Sequence, residues 1–157
     1  MKKNLVMVVD DEKMFADSLA DLLRRNGYEA ITAYSAADAF KALDKNKAVL
    51  GLGSNRIKCI LLDIKMPEMD GLQFLDKLRE EYKERIGVIM VTAYEDDEKW
   101  LEVASGYVAG YVKKPINEEL VITMLNRFFS GKEEEMAQET MEDYLAGEEK
   151  RKQFRKE

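Results

Sequence analysis

The 157-residue sequence contains no histidine, one cysteine, two prolines and one tryptophan. Without histidine there can be no Ser-His-Asp or Cys-His relay, and one cysteine cannot complete a usual zinc site. Cys59 cannot form an internal disulfide, and its place in an apolar run favours a buried side chain in a reducing compartment. Any chemistry must therefore use carboxylates, lysine, hydroxyls or a hard metal ion.

Long hydrophobic runs and an excess of positive charge are also missing. No apolar stretch approaches the length of a membrane span, and the N-terminal MKKNLVMVVD lacks the apolar segment of a signal peptide. The net charge of −6 disfavours direct binding to nucleic acid or to an anionic membrane. We therefore expect a cytoplasmic protein, and the length suits one domain.

Short apolar runs alternate with segments of helical periodicity. We predict strands at residues 4–9, 28–34, 57–62, 86–91 and 109–112, and helices at 13–26, after Ser35, from about 67 or 71, at about 96–105 and at 116–130. This alternation predicts βαβ units and a mostly parallel sheet covered on both faces. The fold class is therefore α/β, an open doubly wound sheet that binds ligands beyond the carboxyl ends of its strands.

Two segments lie outside this alternation. The connection at 45–56 carries glycines and is expected to project as a loop. Residues 132–157 are highly charged, with acids before bases, an order that the helix dipole favours. We interpret them as a weakly attached helical tail or linker beyond a domain of residues 1–131. Met136, Met141, Tyr144 and Leu145 form a narrow apolar stripe on this tail, which leaves a dimer contact as an alternative to a solvated helix.

Polar side chains follow four of the predicted strands. Asp10 and Asp11 follow the first strand, Asp63 the third, Thr92 the fourth and Lys113–Pro115 the fifth. In a parallel sheet these ends share one edge, so three carboxylates, a hydroxyl and an ammonium should meet there. The clustered negative charges need a cation, and Mg²⁺ with carboxylate and phosphate oxygens suits the site. Asp63 would then be a nucleophile for a phosphoryl group.

Each of these residues has an ordinary interpretation when taken alone. Asp10 and Asp11 could cap a helix, Asp63 could belong to a turn, Thr92 could be structural and Lys114 could be solvated. Their order along the chain and their common edge favour a site.

Four motifs, VVDDE, LLDIKMPEMDG, VTA and GYVKKP, occur in this order within residues 3–130. Together they resemble the receiver domain of two-component response regulators, in a stand-alone, chemotaxis-regulator-like form. The resemblance implies a flavodoxin-like (βα)5 fold with strand order 2-1-3-4-5. It also implies Mg²⁺ as cofactor and a sensor histidine kinase or histidine phosphotransfer protein as phosphoryl donor.

By the same resemblance, Asp63 is the expected phosphoacceptor, and Asp10 and Asp11 are the expected Mg²⁺-binding pair, with Asp11 the more direct ligand. Asp63 itself and the backbone carbonyl of Lys65 complete the expected metal ligands. Thr92 is the expected switch hydroxyl.

Four positions carry further expectations from the family. Tyr111 is the aromatic residue that changes rotamer with Thr92. Lys114, directly before Pro115, is the site lysine, and its peptide bond to Pro115 is expected to be cis. Lys65 and Tyr94 occupy positions that tune the loss of the phosphoryl group.

The resemblance implies that output comes from a protein-interaction face formed by the helix at 96–105, the fifth strand and the helix at 116–130. No DNA-binding segment is recognised after residue 131, so we expect output through protein contacts or a downstream domain. The alternative function is a Mg²⁺-dependent phosphatase or phosphotransferase that uses an aspartyl phosphate. Against it, Lys65 stands where such enzymes have a second carboxylate, and no cap-sized insertion is present. A degenerate receiver that acts only as a scaffold is a third alternative.

Overall fold

The computed structural model describes residues 2–47, 54–82, 85–93 and 108–156. The elements are β1 (Leu5–Val9), α1 (Lys13–Arg25), β2 (Glu29–Ala33), α2 (Ala36–Lys45), β3 (Ile57–Leu62), α3 (Gly71–Glu81), β4 (Gly87–Thr92), β5 (Gly110–Lys113), α4 (Glu118–Arg127), a π-helical turn (Phe128–Lys132) and α5 (Glu133–Arg155). The helix predicted at 96–105 lies outside the described residues, as do Trp100 and Tyr94.

The five strands form one parallel sheet in the order β2-β1-β3-β4-β5. The predicted fold class and strand order are therefore confirmed. Strands β1 and β4 are buried along their whole length, as expected for strands covered by helices on both faces.

Alternate residues of the central strands point to opposite faces of the sheet and form two apolar layers. On one face, Ile60 and Leu62 pack with residues of α2 and α3 such as Leu43 and Phe74. On the other face, Leu61 packs with residues of α1 and α4. Cys59 belongs to this second layer and is buried, as predicted. The two layers fix the sheet, and with it the positions of the residues at the strand ends.

Local sequence signals set most of the helix ends. Helix α1 stops at Asn26, and Gly27 then takes a φ of 91°. Ser35 caps α2 by accepting a hydrogen bond of 3.1 Å from the amide of Asp38. Helix α3 begins at Gly71, the later of the two predicted starts. Asp70 and Gln73 form a reciprocal capping box there, with hydrogen bonds of 2.9 and 3.0 Å.

Met14 corrects one detail of the predicted packing. The helical spacing of Met14, Phe15, Leu19, Leu22 and Leu23 predicts one buried apolar face on α1, but the Met14 side chain is 87% exposed. The first turn of α1 lies at the carboxyl edge of the sheet, where the strands beneath it end.

The connection predicted as a projecting loop is described only at its two ends. The amide of Arg56 donates to the carbonyl of Asn46 over 2.9 Å. Asn55 is buried, donates to the Leu43 carbonyl over 2.8 Å and accepts from the Ile57 amide over 2.9 Å. These bonds join the end of α2 to the start of β3, while residues 48–53 lie outside the described part.

The chain turns at Gly131, which has a φ of 85°, and α5 then returns along the domain. Met136 and Tyr144 are buried, whereas Leu145 is half exposed. The predicted apolar stripe is thus divided between a face that contacts the domain and a face open to solvent.

Gly71 is required by the close approach of α3 to the end of β3. A Cβ at this position would lie 2.2 Å from the carbonyl oxygen of Asp63, which is backbone and cannot swing away. We expect Gly71→Ala to lower the free energy of unfolding by about 3 kcal/mol in urea titration.

Gly147→Ala in α5 is the matched control. Its added Cβ would meet only the flexible end of the Arg151 side chain at 3.3 Å. Alanine there should stabilise the helix by up to about 1 kcal/mol. An unchanged midpoint for Gly71→Ala would contradict the requirement for glycine.

Candidate functional site at the carboxyl edge of the sheet

The hydrogen-bond ladder of the sheet continues one residue past three strands and positions the site. The amide of Asp10 donates to Ala33 over 3.0 Å, and that of Asp63 donates to Val9 over 2.9 Å. The amide of Lys114 donates to Thr92 over 2.9 Å. The residues at the strand ends are therefore held by backbone bonds.

Three carboxylates meet at this edge. Asp10, Asp11 and Asp63 each offer an oxygen, and these atoms all lie within 4.8 Å of one another. Asp10 and Asp63 are buried, while Asp11 reaches solvent. The amide of Glu12 donates to Asp10 Oδ1 over 2.9 Å and fixes that carboxylate at the start of α1.

Lys114 supplies the positive charge. Its Nζ lies 2.7 Å from Asp10 Oδ2, 4.0 Å from Asp63 Oδ1 and 4.0 Å from Glu12 Oε1. The neighbouring Lys113 is exposed, so the structure places Lys114 in the site, as predicted. The Lys114–Pro115 peptide bond is cis, also as predicted.

Burial and neighbouring charges perturb the pKa values of the two buried carboxyl groups. Burial, followed by the nearby Asp10, raises the pKa of Asp63 from 3.8 to about 6. Lys114, the amide of Ile64 and the Thr92 hydroxyl oppose this rise. Burial also raises the pKa of Asp10, against the hydrogen bond from Lys114. One lysine therefore does not fully offset two buried carboxylates.

The other predicted residues occupy three different settings. Thr92 is buried, and its hydroxyl already hydrogen-bonds to Asp63 in this structure. Tyr111 is half-buried on β5 and packs against the apolar layer beneath α2 and α3. The Lys65 side chain is exposed, two residues after Asp63.

Three contributors were missed by sequence reasoning. The Phe15 ring, predicted as core, lies 4.1 Å from Lys114 Nζ in a cation–π contact. Glu12 adds a third carboxylate near that lysine. Gly71 lets α3 approach the backbone of Asp63. The acidic run at 10–12 and the spacing from Asp70 to Gln73 were the available signals for Glu12 and for the start of α3.

The donor set fits a hard divalent cation. Carboxylate oxygens are the ligands that Mg²⁺ prefers, and it keeps waters in its remaining positions. Asp11 gives the group an opening to solvent, and burial is the main cause of the raised pKa values of Asp10 and Asp63.

The strand order and the carboxylates at the carboxyl edge define a flavodoxin-like α/β domain. The family described as response regulator receiver domain matches residues 6–126. The chain belongs to this family, whose members act in signalling.

Two relatives are transcriptional regulatory proteins. The transcriptional regulatory protein SrrA of Staphylococcus aureus is 32% identical over 120 residues, covering 76% of this chain and 45% of SrrA. The transcriptional regulatory protein CrdR of Helicobacter pylori is 23% identical over 125 residues, covering 80% of this chain and 54% of CrdR. The chain thus spans about half the length of these relatives.

Two solved structures share the fold. A response regulator receiver protein from Pseudomonas putida has a TM-score of 0.70 at 24% identity, covering 81% of this chain and 98% of that chain. A CheY-like receiver domain protein from Methanospirillum hungatei has a TM-score of 0.66 at 24% identity, covering 88% of this chain and 99% of that chain.

Among the described residues, no helix is both long and apolar enough to cross a membrane.

The raised pKa of Asp63 makes stability depend on pH. Because its folded pKa of about 6 exceeds the unfolded value of 3.8, the favourable contribution is complete below pH 3.8 and is lost as the pH rises through 6. We expect Asp63→Asn in metal-free buffer to raise the free energy of unfolding at pH 7.5 by about 2 kcal/mol, and to have little effect near pH 4.

Chemical denaturation at both pH values measures this difference. Asp21→Asn is the control, because Asp21 forms only an exposed ion pair with Arg24 and should change stability by less than about 0.5 kcal/mol. Mg²⁺ should stabilise the wild type more than Asp63→Asn. Equal stability of the wild type and Asp63→Asn at pH 7.5 would show that Asp63 carries no electrostatic penalty.

Proposed function

We propose that this chain is a phosphorylation-dependent receiver that accepts a phosphoryl group from a histidine kinase on Asp63, in the presence of Mg²⁺. The observation that carries this proposal is the environment of the buried Asp63 carboxylate. The Lys114 ammonium lies 4.0 Å from it, and the Thr92 hydroxyl forms a hydrogen bond with it. These are the charge and the donor that a phosphoryl group on Asp63 would need.

In the proposed reaction, an Asp63 oxygen attacks the phosphorus of a phosphohistidine. The phosphorus–oxygen bond forms as the phosphorus–nitrogen bond breaks, and the leaving imidazole nitrogen takes up a proton. Asp10, Asp11, Asp63 and the carbonyl of Lys65 would hold Mg²⁺, which offsets charge on the phosphoryl oxygens when bound. The domain catalyses only its own phosphorylation and dephosphorylation.

Phosphorylation would reorganise the polar groups around Asp63. Lys114 Nζ, now 2.7 Å from Asp10, would turn toward a phosphoryl oxygen, and the Thr92 hydroxyl would donate to another. Tyr111, which lies on the same strand as Lys113 and near Lys114, would follow. The surface that includes β5 and α4 then changes its affinity for an output protein, since a ligand acts by favouring one of two existing conformations.

The partners proposed for this site follow from the family. A sensor histidine kinase or a histidine phosphotransfer protein would donate the phosphoryl group, because the sequence has no histidine to hold one. Output would pass to a protein partner, and the relatives SrrA and CrdR are transcriptional regulatory proteins.

Labelling with acetyl phosphate and Mg²⁺ tests the phosphoacceptor. We expect Asp63→Asn to reduce labelling to background, because asparagine lacks the nucleophilic oxygen. Intact-mass measurement of the phosphorylated chain gives the readout, and omission of Mg²⁺ should also abolish labelling of the wild type.

Asp70→Asn is the matched control for that test. It lies in the same connection, and asparagine caps a helix as well as aspartate does, so α3 should remain intact and labelling unchanged. Undiminished labelling of Asp63→Asn would show that another residue is modified. Many turnovers of p-nitrophenyl phosphate by the wild type would favour the phosphatase alternative.

A further inference from the structure

Helix α5 covers a surface at the outer edge of β5. Together with β5 and α4 it encloses an open groove of about 380 Å³. We call the part of this groove that belongs to the domain the β5 edge surface; it consists of Ala109, Gly110, Tyr111, Leu120, Met124 and Arg127. Strand β5 is outermost in the sheet, so its free edge would otherwise present unpaired backbone groups.

Three kinds of contact attach α5 to this surface. Thr140 Oγ1 lies 3.3 Å from the Ala109 carbonyl oxygen and 2.8 Å from that of Met136, so it shares one hydrogen between the residue before β5 and its own helix. Arg127 pairs with both carboxylate oxygens of Glu139 at 3.0 Å. Met136 and Tyr144 are buried.

This attachment is limited for a helix of 23 residues. Met136 and Tyr144 are its only buried residues in the described structure. The Arg127–Glu139 pair is substantially exposed, and such pairs contribute little to stability. The rest of the helix is mainly charged. At the start of the helix, Arg85 of the domain also pairs with Glu133 at 3.5 Å and with Glu134 at 3.6 Å. Helix α5 is therefore held against the domain mainly by partly exposed polar contacts and two buried side chains, which a modest structural change can disrupt.

Strand β5 connects this attachment directly to the Asp63 site. Lys114 follows its carboxyl end and lies in the site, while Ala109 precedes its amino end and contacts α5. The four residues between them span only about 13 Å. Tyr111, midway along, lines the groove and packs against the apolar layer of the domain. A movement of β5 at the Lys114 end would therefore also displace the Ala109 end.

We propose that α5 is a displaceable cover of the β5 edge surface, and that phosphorylation of Asp63 loosens this cover. The inference rests on the proposed function. Turning Lys114 from Asp10 toward a phosphoryl oxygen shifts β5, and the Thr140–Ala109 contact at 3.3 Å is already long. Withdrawal of the Tyr111 ring into the domain removes one wall of the groove.

Amide hydrogen exchange of the full chain, read by mass spectrometry, tests the cover directly. The phosphoryl group is mimicked by beryllofluoride with Mg²⁺. We expect exchange in residues 133–147 to become about fivefold faster or more, the range typical of coupling between two sites. Exchange in α1, within residues 19–25, should not accelerate. Asp63→Asn should show no response to beryllofluoride.

Two charge-reversal variants of α5 distinguish the loss of a contact with the domain from a general effect of changing the charge of the helix. Glu139→Arg breaks the pair with Arg127, so residues 133–147 should exchange faster without any ligand. Glu142→Arg is the control, because Glu142 is exposed and accepts a hydrogen bond only from Gln138 in the same helix. Since coupling is reciprocal, Glu139→Arg should bind beryllofluoride about fivefold more tightly than Glu142→Arg.

The possible failures are distinguishable. If beryllofluoride slows exchange in residues 63–71 and 87–93 while residues 133–147 stay equally or better protected, the cover is wrong and the receiver function stands. Equal beryllofluoride affinity of the two charge reversals would also overturn the cover. If no segment responds and acetyl phosphate labels Asp63→Asn as it labels the wild type, both proposals fall.

Discussion

The carboxyl edge of the sheet depends on keeping two buried carboxylates beside one ammonium. Asp10 and Asp63 belong to adjacent strand ends, and Lys114 reaches both from the end of β5. Burial raises the pKa of both carboxyl groups in spite of this lysine, so one ammonium does not fully offset the cost of burying them. The imbalance disfavours the folded state and at the same time makes the site receptive to a cation, so stability and the proposed function draw on the same charges.

The rest of the domain keeps this unfavourable group of charges in place. Two apolar layers hold the sheet, and backbone bonds continue past the strands to fix Asp10, Asp63 and Lys114. The missing side chain of Gly71 brings the start of α3 against the Asp63 backbone. A carboxylate on a loop could swing toward water, whereas these carboxylates cannot leave the edge without breaking the sheet ladder.

Much of the fold and of the site could be predicted, because both follow from the periodicity of apolar residues and from the order of polar motifs along the chain. The alternation of apolar runs with helical segments predicts the parallel sheet, and the polar residues after four of the strands predict that Asp63, Thr92 and Lys114 share one edge. Packing details could not be predicted in the same way. Met14 has the right spacing for the core but lies where the strands end, and Phe15 was assigned to the core although its ring also contacts Lys114. The docking of α5 also involves Thr140 and Glu139, polar residues that a search for apolar periodicity overlooks.

The two margins of the sheet share a protective arrangement. On β2 the Arg24 guanidinium donates to the Ala30 carbonyl over 2.8 Å, and beside β5 the Thr140 hydroxyl approaches the Ala109 carbonyl. An incoming strand from another molecule would have to displace these side chains before it could pair. Side chains that occupy carbonyl groups at the edges of the sheet therefore hinder aggregation by strand pairing. If α5 left its place, the β5 edge would lose this protection until a partner covered it.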